Sequence, residues 1–103
     1  MMEEHVKIFR NFFGIADQVP QLSAISGDFG PDIHHIVPRG RGGGNEITNL
    51  IALTRQEHAR AHGTVLPRLT VGELQTAQRR AIQELLRETG KRFEDWDGQN
   101  WTD

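Results

Sequence analysis

Cysteine is missing altogether from this 103-residue chain. That removes disulfides and thiolate zinc clusters, leaving packing, hydrogen bonds and a metal on other ligands to hold the fold. The absence agrees with a reducing compartment. No apolar run approaches the roughly 18 residues that span a bilayer, and the Met1-Met2-Glu3-Glu4 start lacks the basic-then-apolar layout of a signal peptide. The expectation is a cytoplasmic protein with no membrane partner. A surplus of positive charge is lacking as well: twelve Lys and Arg stand against fourteen Asp and Glu, a net charge of −2, which argues mildly against a phosphate-bearing partner. The length predicts one domain over 1–103 with one functional site.

Charge distribution is more informative than its sum. Residues 32–70 hold five Arg against Asp32, Glu46 and Glu57, a net +2, whereas 1–31 and 71–103 are each −2. The middle of the chain is therefore the natural phosphate-facing surface.

Periodicity supplies the elements. Val6, Phe9, Phe12 and Phe13 recur at helical spacing before Gly14, predicting an amphipathic helix over 3–13 with an aromatic core face. Turn-forming residues dominate 18–31. Two β-prone runs follow, 32–37 stopped by Pro38 and 47–53, joined by Arg39-Gly40-Arg41-Gly42-Gly43-Gly44-Asn45, a connection flexible enough to pair them as an antiparallel ribbon and to let backbone approach a phosphate. Thr54-Arg55-Gln56-Glu57 is a capping box that opens a short helix ending near His62 and Gly63. Thr70-Val71-Gly72-Glu73 repeats the pattern ahead of an apolar stripe from Leu74 to Leu86, predicting a helix over 71–89. The tail from Lys91 carries Phe93, Trp96 and Trp101 among acids, and the sequence leaves open whether it packs on the domain. The fold class is α+β: a two-stranded ribbon plus a short helix, flanked by N- and C-terminal helices.

Four of the five histidines fall between 34 and 62. His34 and His35 are neighbours on a predicted strand and so point to opposite sides. His58 and His62, four apart, share a helix face. Alone, that helical pair is as well read as two solvated imidazoles, but the His34-His35 pair shifts the balance towards a metal. A zinc-protease motif would need Glu after the first helical His, and position 59 is Ala. His5 lies outside the cluster and is expected at the surface.

The segment Asp32-Ile33-His34-His35-Ile36-Val37-Pro38-Arg39, then Gly42-Gly43, Asn49-Leu50, and His58 with His62, resembles the HNH motif of ββα-metal (His-Me finger) nucleases. The likeness covers about residues 20–63, with the motif core at about 32–63. The nine-residue step from Asn49 to His58 and the four-residue step to His62 are similar to colicin-type nucleases. The resemblance implies a metal-dependent endonuclease acting on nucleic acid, DNA in the first instance. His34 and His58 would ligate one divalent ion, with His62 a third ligand or a contact to the scissile phosphate. His35 would be the general base, a neutral imidazole with an ordinary pKa of about 6.5 being able to accept a proton from water. The ion would neutralise a non-bridging and the departing 3′ oxygen, leaving 5′-phosphate and 3′-hydroxyl ends. Asn49 would bridge the ribbon and shape the loop so that a backbone carbonyl orients His35, against its plain reading as a turn Asn. Asp32 stands where related nucleases have an acid near the metal, and is equally well read as a solvated turn residue. Arg39, Arg41 and Arg55 are the expected phosphate contacts, and Arg60 points elsewhere.

Many relatives of this kind carry two Cys-x-x-Cys pairs around a structural zinc. The matching places here are Ser23, Ser26, Thr54 and Glu57, so no structural zinc is expected. The Thr54–Glu57 capping box and packing of the flanking helices should replace it, with homodimer formation a further contribution. Mg or Mn is the ion the resemblance implies, although His-rich ligation also suits Zn, Ni and Co. Two other classes compete: a metal-stapled nucleic-acid-binding module that does not cut, and a helical interaction protein that docks through its acidic flanks. His35 separates the first from a nuclease, because a purely structural site needs no non-ligand histidine beside a ligand.

Overall fold

A computed structural model describes residues 2–92 of the chain. The expectations for Phe93, Trp96 and Trp101 lie outside the described residues.

The architecture is α+β: three helices around one two-stranded antiparallel sheet. Helix α1 is Glu4–Phe13, and Gly14 closes it at φ 66°, a left-handed conformation that glycine adopts without steric cost. Its inward residues Phe9 and Phe12 are buried. Arg10 leaves the same helix to tie down the following loop, its guanidinium donating to the Gln21 side chain, the Ala16 carbonyl and the Val19 carbonyl.

Strands β1 (Asp32–His35) and β2 (Leu50–Leu53) pair with Ile33 opposite Ala52 and His34 opposite Ile51. Side chains alternate across a strand, and the core divides accordingly. Ile33, Leu50 and Ala52 join Phe9, Phe12 and Ile82 on one face. Ile51, Leu53 and Ile36 join Leu69, Leu74 and Ala77 on the other. Leu50 to Leu53 are each fully buried, so β2 is the centre of the molecule, with burial of each Leu or Ile contributing about 1.5–3 kcal/mol.

Both strands are shorter than their β-prone sequence predicts. Ile47–Asn49 forms a 3₁₀ turn ahead of β2, anchored by Gln78, whose buried Nε2 donates to the Ile47 carbonyl at 3.1 Å. Tertiary bonding overrides local propensity here. Beyond His35 one main-chain bond continues the ribbon, from the Ile36 amide to the Asn49 carbonyl, after which the Asn49 side chain takes over.

Helices α2 (Arg55–His62) and α3 (Val71–Thr89) both open with the predicted capping boxes. Thr54 Oγ1 accepts from the Glu57 amide at 3.0 Å while Glu57 Oε1 accepts from the Thr54 amide at 2.9 Å. Gly63 and Gly90 end them at φ 80° and 72°. Among the described residues, no helix is long and apolar enough to cross a membrane.

Candidate active site

The capping box fixes where α2 begins, and with it which of its side chains look back at the ribbon. His58 and His62 face β1. Asp32 and His34, two apart on β1, share the side that α2 covers, and the rings of His34, His58 and His62 lie 4.7–5.2 Å apart, centre to centre. One nitrogen from each falls within 4.8 Å of the others, the sole such group among the described residues. The site grades outward: His34 is buried, His58 half-buried and His62 exposed.

Asp32 stands behind this trio. Its Oδ2 lies 3.0 Å from His58 Nδ1 and its Oδ1 3.8 Å from Arg55 Nε. A carboxylate on Nδ1 fixes the His58 tautomer so that the Nε2 lone pair points to the shared space. That Nε2 lies 3.1 Å from His62 Nε2. Burial first, and then the neighbouring His58, His62 and His35 rings, push the His34 pKa down to about 4. The buried nitrogen is therefore neutral at physiological pH, as a ligand must be. Three imidazole donors, one with a carboxylate behind it, fit a divalent transition ion.

His35 is directed to the other face, as strand alternation requires. Its Nε2 lies 2.8 Å from Asn45 Oδ1 and 3.3 Å from Arg39 Nε. One nitrogen cannot serve both at once: Asn45 needs a proton there and Arg39 a lone pair. The Asn45 contact is the shorter of the two, and a proton on Nε2 to meet it leaves Nδ1 free to accept another. A side-chain carbonyl thus does what the sequence reading assigned to a backbone carbonyl.

Asn49 bridges the ribbon as expected. Its Oδ1 accepts from the Val37 amide at 2.8 Å, and its Nδ2 donates to the Val37 and Gly44 carbonyls at 3.1 and 2.9 Å. A Cβ on Gly43 would fall 1.7 Å from the Val37 oxygen and 3.0 Å from Asn49 Nδ2, so only glycine lets the loop close on this bridge.

Of the expected phosphate contacts, Arg39 touches His35 and Arg55 flanks Asp32. Arg41 is exposed on the turn after Pro38 and is not brought to the histidines. Arg60 does point away, its Nε donating to the Pro67 carbonyl at 2.7 Å.

Sequence reasoning missed two neighbours of His35. Asn45 is one. The other is His5, expected at the surface but only 12% exposed in its side chain, with its ring 4.7 Å from that of His35. Its signal was its place one helical turn before Phe9, on the apolar stripe of α1. Burial, His35 and Arg39 lower the His5 pKa against an opposing pull from Glu3.

Ser23, Ser26, Thr54 and Glu57 do converge. Buried Ser23 donates its hydroxyl to buried Glu57 Oε1 at 2.6 Å and accepts from the Ile25 and Ser26 amides at 2.9 and 3.1 Å. Burial alone would raise the Glu57 pKa, but hydrogen bonds from Ser23, Thr54 and Ser26 outweigh it and hold the carboxyl below its usual range.

No family model matches the chain, and neither the curated proteins nor the solved structures provide a match to it.

Proposed function

We propose that this chain is a metal-dependent nuclease of the HNH type, built on a ββα-metal core, that hydrolyses phosphodiester bonds in nucleic acid, with DNA as its first substrate class. The observation that carries the reading is the pairing of two unlike histidine sites across one strand end. Three imidazoles converge with no fourth protein donor among the described residues, whereas structural zinc sites are closed by four. The adjacent His35 is outside that group, held through one nitrogen by Asn45.

His34, His58 and His62 would hold the ion, whose contribution when bound is Lewis-acid stabilisation of charge on the non-bridging and departing 3′ oxygens. The donor set suits Mn, Zn, Ni or Co, while Mg would draw most of its shell from phosphate and water oxygens. Asp32 keeps His58 in its ligating tautomer. His35 Nδ1 accepts a proton from water as the water oxygen bonds to phosphorus. The phosphorus–3′-oxygen bond breaks, that oxygen takes a proton from solvent water to become the 3′-hydroxyl while His35 returns its proton to solvent, and the new phosphorus–oxygen bond leaves a 5′-phosphate. Arg39 and Arg55 flank the two histidine sites, where guanidinium groups can meet phosphate oxygens.

The test is nicking of supercoiled plasmid by the purified full chain, with Mg, Mn, Ni, Co or Zn added singly and with EDTA. Nicking that needs the ion and stops with EDTA is the expected result. Tight metal binding with no nicking by any ion would overturn it in favour of a non-cleaving, metal-stapled nucleic-acid-binding module.

A further inference from the structure

Helix α1 packs on the ribbon through Phe9 and Phe12, with Val6, Ile8 and Phe13 against the same cluster, and His5 lies one turn before Phe9 with its side chain 12% exposed. At position 5 stands a half-buried imidazole whose Nδ1 is out of contact with solvent and has no hydrogen-bond partner. A buried polar nitrogen left unpaired is unfavourable compared with carbon in its place, so packing alone does not account for histidine. The ring against which it lies, at 4.7 Å and a 45° tilt, is that of His35.

We propose that His5 is a positioning residue for His35, holding the base from the α1 side so that the nitrogen left free by Asn45 stays directed at the substrate. This rests on the nuclease reading above. Glu3 Oε1 lies 3.7 Å from His5 Nε2, and a proton on that nitrogen leaves a lone pair on the buried Nδ1. His35 is thereby held at two points. Asn45 binds Nε2 by a hydrogen bond. The His5 ring lies against that of His35 at 4.7 Å, where its bulk limits turning of the imidazole. An imidazole free to turn would offer carbon or the wrong nitrogen part of the time, and small misplacements of a reacting group are costly in rate.

The experiment uses the full chain as His5→Ala, His5→Phe and His5→Asn, with Asn chosen to imitate the Nδ1 acceptor. Three properties are read: kcat and KM for cleavage, metal affinity by calorimetry, and the His35 tautomer from side-chain ¹⁵N NMR of the metal-free protein at alkaline pH. Ala and Phe should lower kcat by about 10- to 100-fold with KM and metal affinity unchanged, even where Phe melts no lower than wild type. Asn should recover most of that loss. His35 should show one tautomer in wild type and a mixture in His5→Phe. Wild-type kcat in His5→Phe, or a His35 tautomer indifferent to residue 5, would overturn the proposal. A wild-type chain that cleaves nothing would remove the nuclease reading instead, and the NMR readout would still decide whether His5 orients His35.

Discussion

Asp32 and His34 do different work from the same side of one strand. His34 sits at the buried end of the site with its nitrogen kept neutral, and Asp32 reaches the far nitrogen of His58. Removing the Asp32 charge while keeping its shape, as Asp32→Asn, should weaken divalent-ion binding by about 10- to 100-fold in calorimetry, the usual effect of losing a group that orients a ligand. Undiminished affinity would separate Asp32 from the metal centre. The depressed His34 pKa also fixes a direction for stability. An unfolded imidazole titrates near the ordinary 6.5 and folded His34 near 4, so between those values the unfolded chain binds a proton that the folded chain does not. Stability is then full above about 6.5 and declines as pH falls towards 4. Urea midpoints of metal-free protein at pH 7.5 and 5.0 should show the drop, and His34→Gln should reduce it. A midpoint that rises at pH 5.0 would contradict the assignment.

Helix starts and stops were the most legible features of this chain, because they are written within four residues. Thr54 to Glu57 and Thr70 to Glu73 close as the sequence predicts, and Gly14, Gly63 and Gly90 all take the left-handed conformation. Strand limits were less legible. Ile47 and Thr48 are β-prone by type, yet Gln78, thirty-one residues after Ile47, fastens their backbone into a turn. The junction of loop 18–31 with α2 illustrates the same point about distance. Sequence showed Ser23 and Ser26 in one segment and Thr54 and Glu57 in another, but not that Ser23 would donate to Glu57 across the fold. A buried hydrogen bond to a charged group contributes about 1.5–3 kcal/mol. Ser23→Ala should therefore cost about 1.5–3 kcal/mol in urea unfolding without abolishing the fold. A loss under about 0.5 kcal/mol, the range of ordinary surface changes, would show that this cluster does not clamp α2.

The assembled molecule explains why the site could be read in part. Its histidines come from β1 and α2, and the regular periods of strand and helix are enough to set His34 apart from His35 and to put His58 beside His62. What periodicity cannot supply is which separate segments meet. His5 reaches His35 only because α1 packs its aromatic stripe on the same face of the ribbon as Ile33 and Leu50. Asn45 reaches it because the glycine loop folds back beneath Asn49. The charge pattern is consistent with the geometry, since Arg39 and Arg55 fall beside the histidines while the acidic flanks lie in other segments. The central claim is that one face of β1 holds the ion and the other activates water. The most direct measurement is plasmid cleavage by wild type and His35→Ala at saturating metal, with metal affinity of both taken by calorimetry. The account predicts equal affinity and a cleavage rate lower by about 10²- to 10⁴-fold, the range for a lost general base. Cleavage at the wild-type rate would contradict it.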